Sequence, residues 1–193
     1  MTMAPAYPFG LEVDEPAPQS RLTVFFRILM LIPHVIILYF LGLAQNIVTL
    51  IAWFAILFTG KYPAGLLQFS TNILHWNTRV GGYALLLTGT YPPFALGEDA
   101  NYPVRLTGMG EEAGRNRLTT FFRIFMIIPH IIVFYFLILA LYIVLFISWI
   151  IALFTGSVPG GMHNFMAGVG RWGTRLNAYT LLLTDKYPPF SLN

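Results

Sequence analysis

The residues most able to do chemistry in this sequence are two arginines, Arg79 and Arg175, each of which lies in a largely apolar stretch. A guanidinium in such surroundings is a default candidate for a functional site, because it binds phosphate or carboxylate groups through charge-assisted hydrogen bonds. The structural alternative is that each arginine caps carbonyl groups or extends to an interface among its own helices. Arg27 and Arg123 are further candidates for binding a lipid or another anion, although such arginines commonly mark an interface instead.

Two histidines, His34 and His130, each follow a proline and form a second candidate site. A pair of imidazoles can bind a metal ion, but neither histidine has a carboxylate or another histidine at the spacing of ligands on a helix. The sequence also contains no His-Glu-x-x-His motif. Both histidines are therefore weak metal candidates, and hydrogen bonding to lipid headgroups or to the backbone is the usual role of such residues.

Most other kinds of catalytic chemistry lack their residues here. The sequence has no cysteine, which excludes disulfides, iron–sulfur clusters and thiol nucleophiles. It contains no Gly-x-Ser-x-Gly, no Walker-type phosphate loop and no dinucleotide-binding fingerprint. We therefore predict no enzyme activity, no catalytic residue and no cofactor. All eight acidic residues lie outside the long apolar stretches, which argues against ion-coupled transport.

The composition indicates a membrane protein. Only 10% of the 193 residues are charged, 56% are hydrophobic and the mean hydropathy is +0.68. About a quarter of the residues of a soluble domain are charged, and a chain of this length cannot bury so much apolar surface within itself. The net charge is only +3 and the eleven basic residues are spread along the chain, so no nucleic-acid partner is predicted. The predicted partners are membrane lipids and other membrane proteins.

The sequence repeats itself at a shift of 96 residues. Residues 21–94 align without a gap onto residues 117–190, and 40 of these 74 positions are identical. Both copies contain Arg-Leu-Thr-x-Phe-Phe-Arg, Ile-Pro-His, Phe-Thr-Gly, Trp-x-Thr-Arg and Leu-Leu-Leu-Thr-x-x-Tyr-Pro-Pro-Phe. Such identity indicates a duplication, and we divide the chain into two units, residues 1–97 and 98–193.

Each unit is predicted to be mainly α-helical, with a short interfacial helix, a long transmembrane helix and an amphipathic return helix. These helices span residues 21–32, 34–59 and 65–88 in the first unit, and 117–128, 130–155 and 161–184 in the second. Ser20 and Asn116 are plausible N-caps, and Pro33 and Pro129 are expected to break or kink the helix. The second helix of each unit carries no charge over about 25 residues, which is enough to cross a hydrocarbon core of about 30 Å.

The return helices present the main topological choice. Their apolar residues recur at alternating three- and four-residue steps, and the opposite face of the first one carries Gln68, Asn72, His75 and Arg79. If these helices cross the membrane, each unit is a hairpin, and the positive residues on one side are Arg21, Arg27, Arg105, Arg115, Arg117, Arg123 and Lys186, against Lys61 alone on the other. If they lie in the interface, the copies are inverted and this bias is lost. We expect hairpins with both termini in the cytoplasm, and a tilted helix half in the interface stays open.

Short alternating segments beside the Tyr-Pro motifs predict strands. The four segments are Phe9/Leu11/Val13, Phe94/Leu96, Val104/Leu106 and Phe190/Leu192. In the hairpin arrangement they lie on the same side of the membrane. We therefore expect them to pair into a small sheet that caps the helices.

The order of these motifs resembles the bacterial family known as domain of unknown function 4389. The resemblance rests on Tyr-Pro-Val-Arg-Leu-Thr, Phe-Phe-Arg, Ile-Pro-His, Trp-x-x-x-Leu-Phe-Thr-Gly and Ala-Tyr-x-Leu-Leu-Leu-Thr-Asp-Lys-Tyr-Pro-Pro-Phe, and it covers nearly the whole chain as two copies. The first copy departs from the family pattern where Phe-Gly-Leu-Glu replaces Val-Arg-Leu-Thr. The resemblance implies no activity, cofactor or catalytic residue.

Three functional hypotheses follow for a multi-pass protein of the bacterial cytoplasmic (inner) membrane. The leading one is a non-enzymatic scaffold or accessory subunit of a membrane complex, because the repeat is rich in aromatic residues and lacks reactive groups. The second is binding or movement of anionic lipid by Arg79, Arg175 and the amphipathic helices. The third is a small channel along the polar faces, which the bulky aromatic side chains disfavour.

Overall fold

Two helices of 39 residues run through the structure, a computed structural model that describes residues 7–193. They are α1, Arg21–Thr59, and α3, Arg117–Thr155. Each is followed by a helix of 21 residues, which is α2, Ala64–Ala84, or α4, Gly160–Thr180. Two short strands precede the long helices: β1, Phe9–Val13, and β2, Val104–Gly108. The predicted helical fold in two tandem units is confirmed, and the first six residues of the unit at 1–97 lie outside the described residues.

The long helices α1 and α3 are apolar enough to cross a membrane. Their most apolar 18-residue stretches have mean hydropathies of 2.3 and 2.9. Only 17% and 11% of the residues in these stretches are buried, so these helices are not core helices of the kind found in soluble proteins. By length and composition they indicate a membrane protein.

Pro33 and Pro129 lie inside the long helices and do not separate two helices. The predictions of separate helices at 21–32 and 34–59, and at 117–128 and 130–155, are therefore wrong. Proline removes one backbone hydrogen bond and bends a helix, but an apolar helix tolerates it when other groups bond to the carbonyls that it frees. Beside the carbonyl of Leu29, which Pro33 leaves without its helical donor, the hydroxyl of Tyr91 donates to the next carbonyl, that of Met30, at 3.0 Å, and the second copy repeats this bond at 3.1 Å.

The ends of α1 and α3 follow common capping rules. Asn116 is the N-cap of α3, as predicted, and its side chain accepts hydrogen bonds from two backbone N–H groups of the first turn. Ser20 occupies the same position before α1, but its side chain makes no capping bond. Gly60 and Gly156 end the two helices with φ angles of 71° and 76°, a left-handed conformation that favours glycine.

The return helices end four residues earlier than predicted, at Ala84 and Thr180 instead of 88 and 184. The reason is a left-handed residue just beyond each end, Leu86 with φ 59° and Leu182 with φ 62°. Non-glycine residues rarely adopt this conformation. The two side chains are only 1% and 2% exposed, and their burial among apolar neighbours stabilises the turn.

The long helices run antiparallel, so the two copies are inverted relative to each other. The indole N–H of Trp53, near the end of α1, donates to the carbonyl of Thr120, near the start of α3, at 3.1 Å. Trp149 and Val24 make the equivalent bond at 3.0 Å. The arginine pairs of the two copies therefore lie at opposite ends of the helix pair, Arg21 and Arg27 at one end and Arg117 and Arg123 at the other.

The segment between α2 and α3 produces this inversion. α2 returns along α1, as a hairpin should, and residues 85–116 then run back along α2. At one end of this segment Arg27 donates to the carbonyl of Thr88, and at the other the N–H of Arg115 donates to the carbonyl of Gly60. α3 thus begins where α1 ends. The predicted arrangement, with the basic residues of both copies gathered at one end, is wrong for this reason.

A pseudo-two-fold axis relates the copies and passes through the two strands. β1 and β2 pair antiparallel, with Leu11 opposite Leu106 at the centre of the register. The strands predicted around these two leucines are confirmed. Those predicted at Phe94/Leu96 and Phe190/Leu192 are wrong, because arginine side chains bind the carbonyls of these segments, as described below.

The elements stack in three layers along this axis. α1 and α3 form one outer layer, α2 and α4 lie in the middle, and the strands pack on the middle layer, β1 on α4 and β2 on α2. Among the described residues, exposed large hydrophobic side chains number 17 on α1 and 18 on α3, and none lies on α2 or α4. The outward-facing apolar surface therefore belongs mainly to the long helices.

Gly82 provides a test of how β2 packs on α2. A Cβ atom at residue 82 would lie 2.6 Å from Cγ1 of Val104, whereas a Cβ atom at the neighbouring Gly81 would meet no atom within 4 Å. We expect Gly82→Ala to lower the free energy of unfolding by about 1–3 kcal/mol through overpacking. Gly81→Ala is the matched control and should stabilise by up to about 1 kcal/mol, because alanine favours a helix over glycine. Thermal unfolding in detergent measures both, and equal unfolding midpoints would contradict the packing.

Candidate functional site

Arg79 and Arg175 hold the tail segments of their own copies. The guanidinium of Arg79 donates to the carbonyls of Ala95 and Gly97, the latter at 2.6 Å. Arg175 makes the equivalent bonds to the carbonyls of Ser191 and Asn193. Both arginines are buried, at 2% and 6% exposure. The guanidinium N–H groups thus donate the hydrogen bonds that a neighbouring strand would otherwise donate to these carbonyls. This explains why the tails do not join the sheet.

The predicted polar face of α2 is largely covered in the structure. His75 and Arg79 are buried, and Gln68 and Asn77 are the polar side chains of this helix that stay exposed. The predicted polar face is therefore covered at His75 and Arg79, because the tail bound by Arg79 packs there. The carbonyl bonds of Arg79 and Arg175 correspond to the structural alternative, and lipid binding by these two residues stays a prediction.

Arg27 and Arg123 reach from the long helices to the ends of α2 and α4. Arg27 is 3% exposed and donates to the carbonyls of Tyr83 and Thr88. Its guanidinium lies 4.1 Å from the centroid of the Tyr83 ring. Arg123 repeats these contacts, with its guanidinium 4.3 Å from the ring of Tyr179. Both arginines thus bind carbonyl groups left free where the return helices end.

The two copies differ in what else surrounds this arginine. In the first copy Arg27 donates to Oε1 of Gln19 at 2.6 Å. In the second copy Asp185 accepts from Arg123 at 2.6 Å and from two nitrogen atoms of Arg115, at 2.7 and 3.1 Å. Arg115 occupies the position equivalent to Gln19, and Asp185 replaces a glycine. The second copy therefore holds a buried cluster of two arginines and one carboxylate.

Asp185 is the anion of this cluster. Burial disfavours its ionised form, but hydrogen bonds from Arg115 and from the N–H of Asn116, together with the charges of Arg115 and Arg123, outweigh burial and lower the pKa of Asp185 below its ordinary value of 3.8. The side chains of Arg115 and Asp185 are only 0% and 16% exposed, so water screens this interaction weakly. Asp185 is thus ionised at neutral pH and compensates part of the buried positive charge.

The two histidines lie in separate aromatic clusters. The ring of His34 stacks on Phe94 with centroids 4.0 Å apart, and its Nδ1 accepts from the indole N–H of Trp76 at 3.2 Å. His130 repeats both contacts at 3.9 and 3.2 Å. Among residues 7–193 no three potential metal ligands of the His, Asp and Glu types come together. Each histidine instead joins the Ile-Pro-His motif of a long helix to the Tyr-Pro-Pro-Phe motif of its tail.

Two equivalent grooves lie between α1 and α3, one beside each of Arg27 and Arg123. The first has a volume of about 380 Å³, and its lining includes Arg27, Ala84, Leu86, Tyr142, Leu145 and Trp149. The second has a volume of about 430 Å³ and is lined by the equivalent positions, including Arg123, Thr180, Leu182, Asn46, Thr49 and Trp53. Each groove has mainly apolar walls with one buried arginine among its lining residues, and such walls suit an acyl chain.

A third cavity of about 500 Å³ lies close to the pseudo-two-fold axis, between α2, α4 and the middle of α3. Its walls are apolar where α3 contributes Phe134, Ile138 and Leu141, and polar where Asn77 and Asn177 approach. None of its lining residues carries a charge. Of the four candidate arginines, only Arg27 and Arg123 line the grooves, and none of the four lines this cavity.

Sequence reasoning missed three residues of the arginine clusters, Gln19, Arg115 and Asp185. They escaped notice because these positions differ between the copies, whereas the search for repeated motifs selects positions that agree. A signal was nevertheless present. Where the first copy has a neutral pair at positions 19 and 89, the second has an opposite-charge pair at 115 and 185, as contacting residues often do.

The fold is that of a mainly helical protein built from two inverted copies of one unit, and its two long helices are apolar enough to cross a membrane. The family model described as domain of unknown function, DUF4389, matches residues 21–95 and 117–191, which are the two copies. The chain belongs to this family. No curated protein and no solved structure matches the chain.

Removing the charge of Asp185 tests the buried cluster. We expect Asp185→Asn to lower the free energy of unfolding by about 3 kcal/mol, because it leaves Arg115 and Arg123 buried without an anion. Glu112→Gln, at an exposed carboxylate in the same region, is the control and should change stability little. Chemical unfolding in mild detergent measures both variants.

The effect of Asp185 should also depend on pH. Because its pKa is lower in the folded than in the unfolded protein, the stabilisation is complete above its ordinary pKa of 3.8 and is lost as the pH falls through the folded pKa. The stability difference between the wild type and Asp185→Asn should therefore narrow below this pH. A difference that stays constant over the acid range would show that the charge does not stabilise the fold.

Proposed function

We propose that the protein is a non-enzymatic membrane protein of the bacterial cytoplasmic membrane that acts as a scaffold or an accessory subunit of a membrane complex. The observation that carries this proposal is that the groups most able to do chemistry are used by the fold. The four candidate arginines donate to carbonyls of the protein itself, and the two histidines accept from tryptophans. What the molecule presents outward is the apolar surface of α1 and α3, which suits contact with lipid and with other membrane proteins.

The way the copies brace each other supports a scaffold. Each copy donates one tryptophan N–H to the long helix of the other and contributes one strand to the shared sheet. Contacts at both ends of the helix pair and at the axis hold the copies together at several separate points. Because these contacts hold the two copies in one arrangement, the protein is suited to binding a partner through a preformed surface. It is less suited to a mechanism that needs a large motion of one copy against the other.

The test is native mass spectrometry of the tagged protein, extracted from its own membranes with a mild detergent. We expect a complex with another membrane protein at a fixed stoichiometry. A mock extract from cells that lack the tag controls for non-specific carry-over. Recovery of the protein alone, across detergents that preserve other membrane complexes, would show that the scaffold proposal is wrong.

A second candidate function is binding of anionic lipid, and the two equivalent grooves favour it. Each groove places an arginine at the wall of an apolar space that opens between the two exposed helices. The sites differ from the predicted pair Arg79 and Arg175, because these lie among the tails. The candidate residues for lipid contact in the grooves are therefore Arg27 and Arg123.

Filling the grooves tests lipid binding without touching the arginines. Ala84→Phe and Thr180→Phe place a ring into equivalent positions of the two grooves. We expect the double variant to retain at least about tenfold less phosphatidylglycerol than the wild type in native mass spectra, a change of about 1.4 kcal/mol in binding. Ala64→Phe, at the exposed start of α2, is the control. Equal lipid retention by the double variant and the control would exclude the grooves as the binding site.

A further inference from the structure

We infer that α1 and α3 lie in the plane of the membrane within one leaflet, so that the protein binds the bilayer by one face and does not cross it. The inference rests on the membrane location in the proposed function. It replaces the multi-pass arrangement predicted from the sequence. The partner that it names is the lipid surface itself, contacted by the outer layer of the fold.

The length of the apolar surface is the first reason. Exposed apolar side chains extend from Leu22 to Phe58 on α1 and from Leu118 to Phe154 on α3, and these four are each at least 67% exposed. The 36 steps between the first and last of these residues rise about 54 Å in a helix, whereas the hydrocarbon core of a bilayer is about 30 Å thick. In an upright orientation, in which the long helices cross the bilayer, this apolar surface fits the hydrocarbon core only if the helix tilts by roughly 55° from the membrane normal. That tilt is outside the usual range for transmembrane helices.

The position of the strands is the second reason. Because α1 and α3 are antiparallel, an upright orientation puts the pseudo-two-fold axis, and with it the β1–β2 pair, at the midplane of the bilayer. Glu12, Asp14 and Arg105 lie on or next to these strands, with side chains 61%, 50% and 27% exposed. Arg105 pairs with both carboxylates, at 3.7 and 2.8 Å, which leaves one net negative charge, and a single charge at the midplane costs about 2.5–3.5 kcal/mol even on the lowest scale. Hydrocarbon also does not accommodate the open edges of a two-stranded sheet.

The connection between the copies is the third reason. Residues 85–116 run from one end of α1 to the other along α2, so an upright orientation would take this segment across the bilayer as well. It carries three charged side chains in its middle part: Glu98, Asp99 and Arg105. The middle layer also faces away from lipid, because the exposed residues of α2 and α4 are small or polar. In the in-plane orientation all of these groups lie on the water side.

The three-layer arrangement fits the in-plane orientation directly. The apolar layer of α1 and α3 enters one leaflet, α2 and α4 form the core above it, and the charged strands face water. The pseudo-two-fold axis then coincides with the membrane normal, so both copies present equivalent surfaces to the same leaflet. Helices that bind in this way bury an apolar face in the boundary between headgroups and acyl chains.

Cysteine labelling tests the orientation, because the chain has no cysteine of its own. Lys61 and Ser157 are exposed, equivalent residues that follow the ends of α1 and α3. We prepare Lys61→Cys and Ser157→Cys and treat intact spheroplasts and inverted membrane vesicles with a membrane-impermeant maleimide. The in-plane orientation predicts that both cysteines are labelled from the same side. Labelling from opposite sides, or from neither side, would overturn the inference.

Depth measurements at three exposed positions of α1 provide a second test. Nitroxide labels at Phe25→Cys, Phe40→Cys and Phe54→Cys should all report depths within one leaflet, less than about 15 Å below the headgroups. An upright helix would place the middle label near the midplane and the outer two towards opposite surfaces. Strong spin–spin coupling with no access to lipid-soluble oxygen at all three positions would mean that a second copy covers this face. Either result would refute the inference.

The outcome of these tests is separable from that of the proposed function. Recovery of the untagged protein from the soluble fraction of lysed cells, without detergent, would refute the membrane location on which both depend. Opposite-side labelling of a protein that stays with the membrane would refute the in-plane orientation alone. A partner identified by mass spectrometry would support the scaffold proposal in either orientation.

Discussion

The structure depends on guanidinium groups that bind backbone carbonyls in its interior. The carbonyl groups at the ends of α2 and α4, and those of the tails that follow, lie against apolar helices. Water cannot reach them there to donate hydrogen bonds. A guanidinium has five N–H donors in a fixed plane, so one side chain satisfies two carbonyls at once and still contacts a neighbouring ring or side chain. Arg27 binds the end of α2 in this way and Arg79 binds the tail, and the second copy repeats both. A lysine could not replace either residue, because its single nitrogen lacks this planar geometry.

The same requirement connects motifs that are far apart in the sequence. The Ile-Pro-His motif introduces a proline into a long helix, and the Tyr-Pro-Pro-Phe motif supplies a hydroxyl that donates to a carbonyl of the preceding turn. The aromatic ring of the second motif then stacks on the histidine of the first. The Ile-Pro-His and Tyr-Pro-Pro-Phe motifs, which mark the duplication, thus contact each other in each copy. Their repetition reports a structural need, and it explains why aromatic and basic residues recur together.

The parts of this fold that the sequence predicts are those set by local patterns. The duplication, the two long apolar helices, the return helices and the strands around Leu11 and Leu106 follow from identity, hydropathy and periodicity. The inversion of the copies does not, because it depends on the path of residues 85–116 and on contacts such as Trp53 with Thr120. For Arg79 and Arg175 the sequence left two roles open, lipid binding and the capping of carbonyl groups. Whether a guanidinium meets a lipid or a carbonyl depends on where the chain ends its helices, and Leu86 and Leu182 end them in a conformation that leucine rarely adopts.

The pseudo-two-fold axis has a consequence for how such a protein can arise. One copy alone would leave a strand without its neighbour and an indole N–H without its acceptor, so a chain with a single copy would need a second chain to complete it. The duplicated protein corresponds to that homodimer with its halves fused. Fusion frees equivalent positions to change separately, since a substitution no longer appears in both halves. Arg115 and Asp185 form an ion pair in the second copy, whereas the equivalent positions of the first copy hold the neutral Gln19 and Gly89. A symmetric homodimer could not have this difference between its halves.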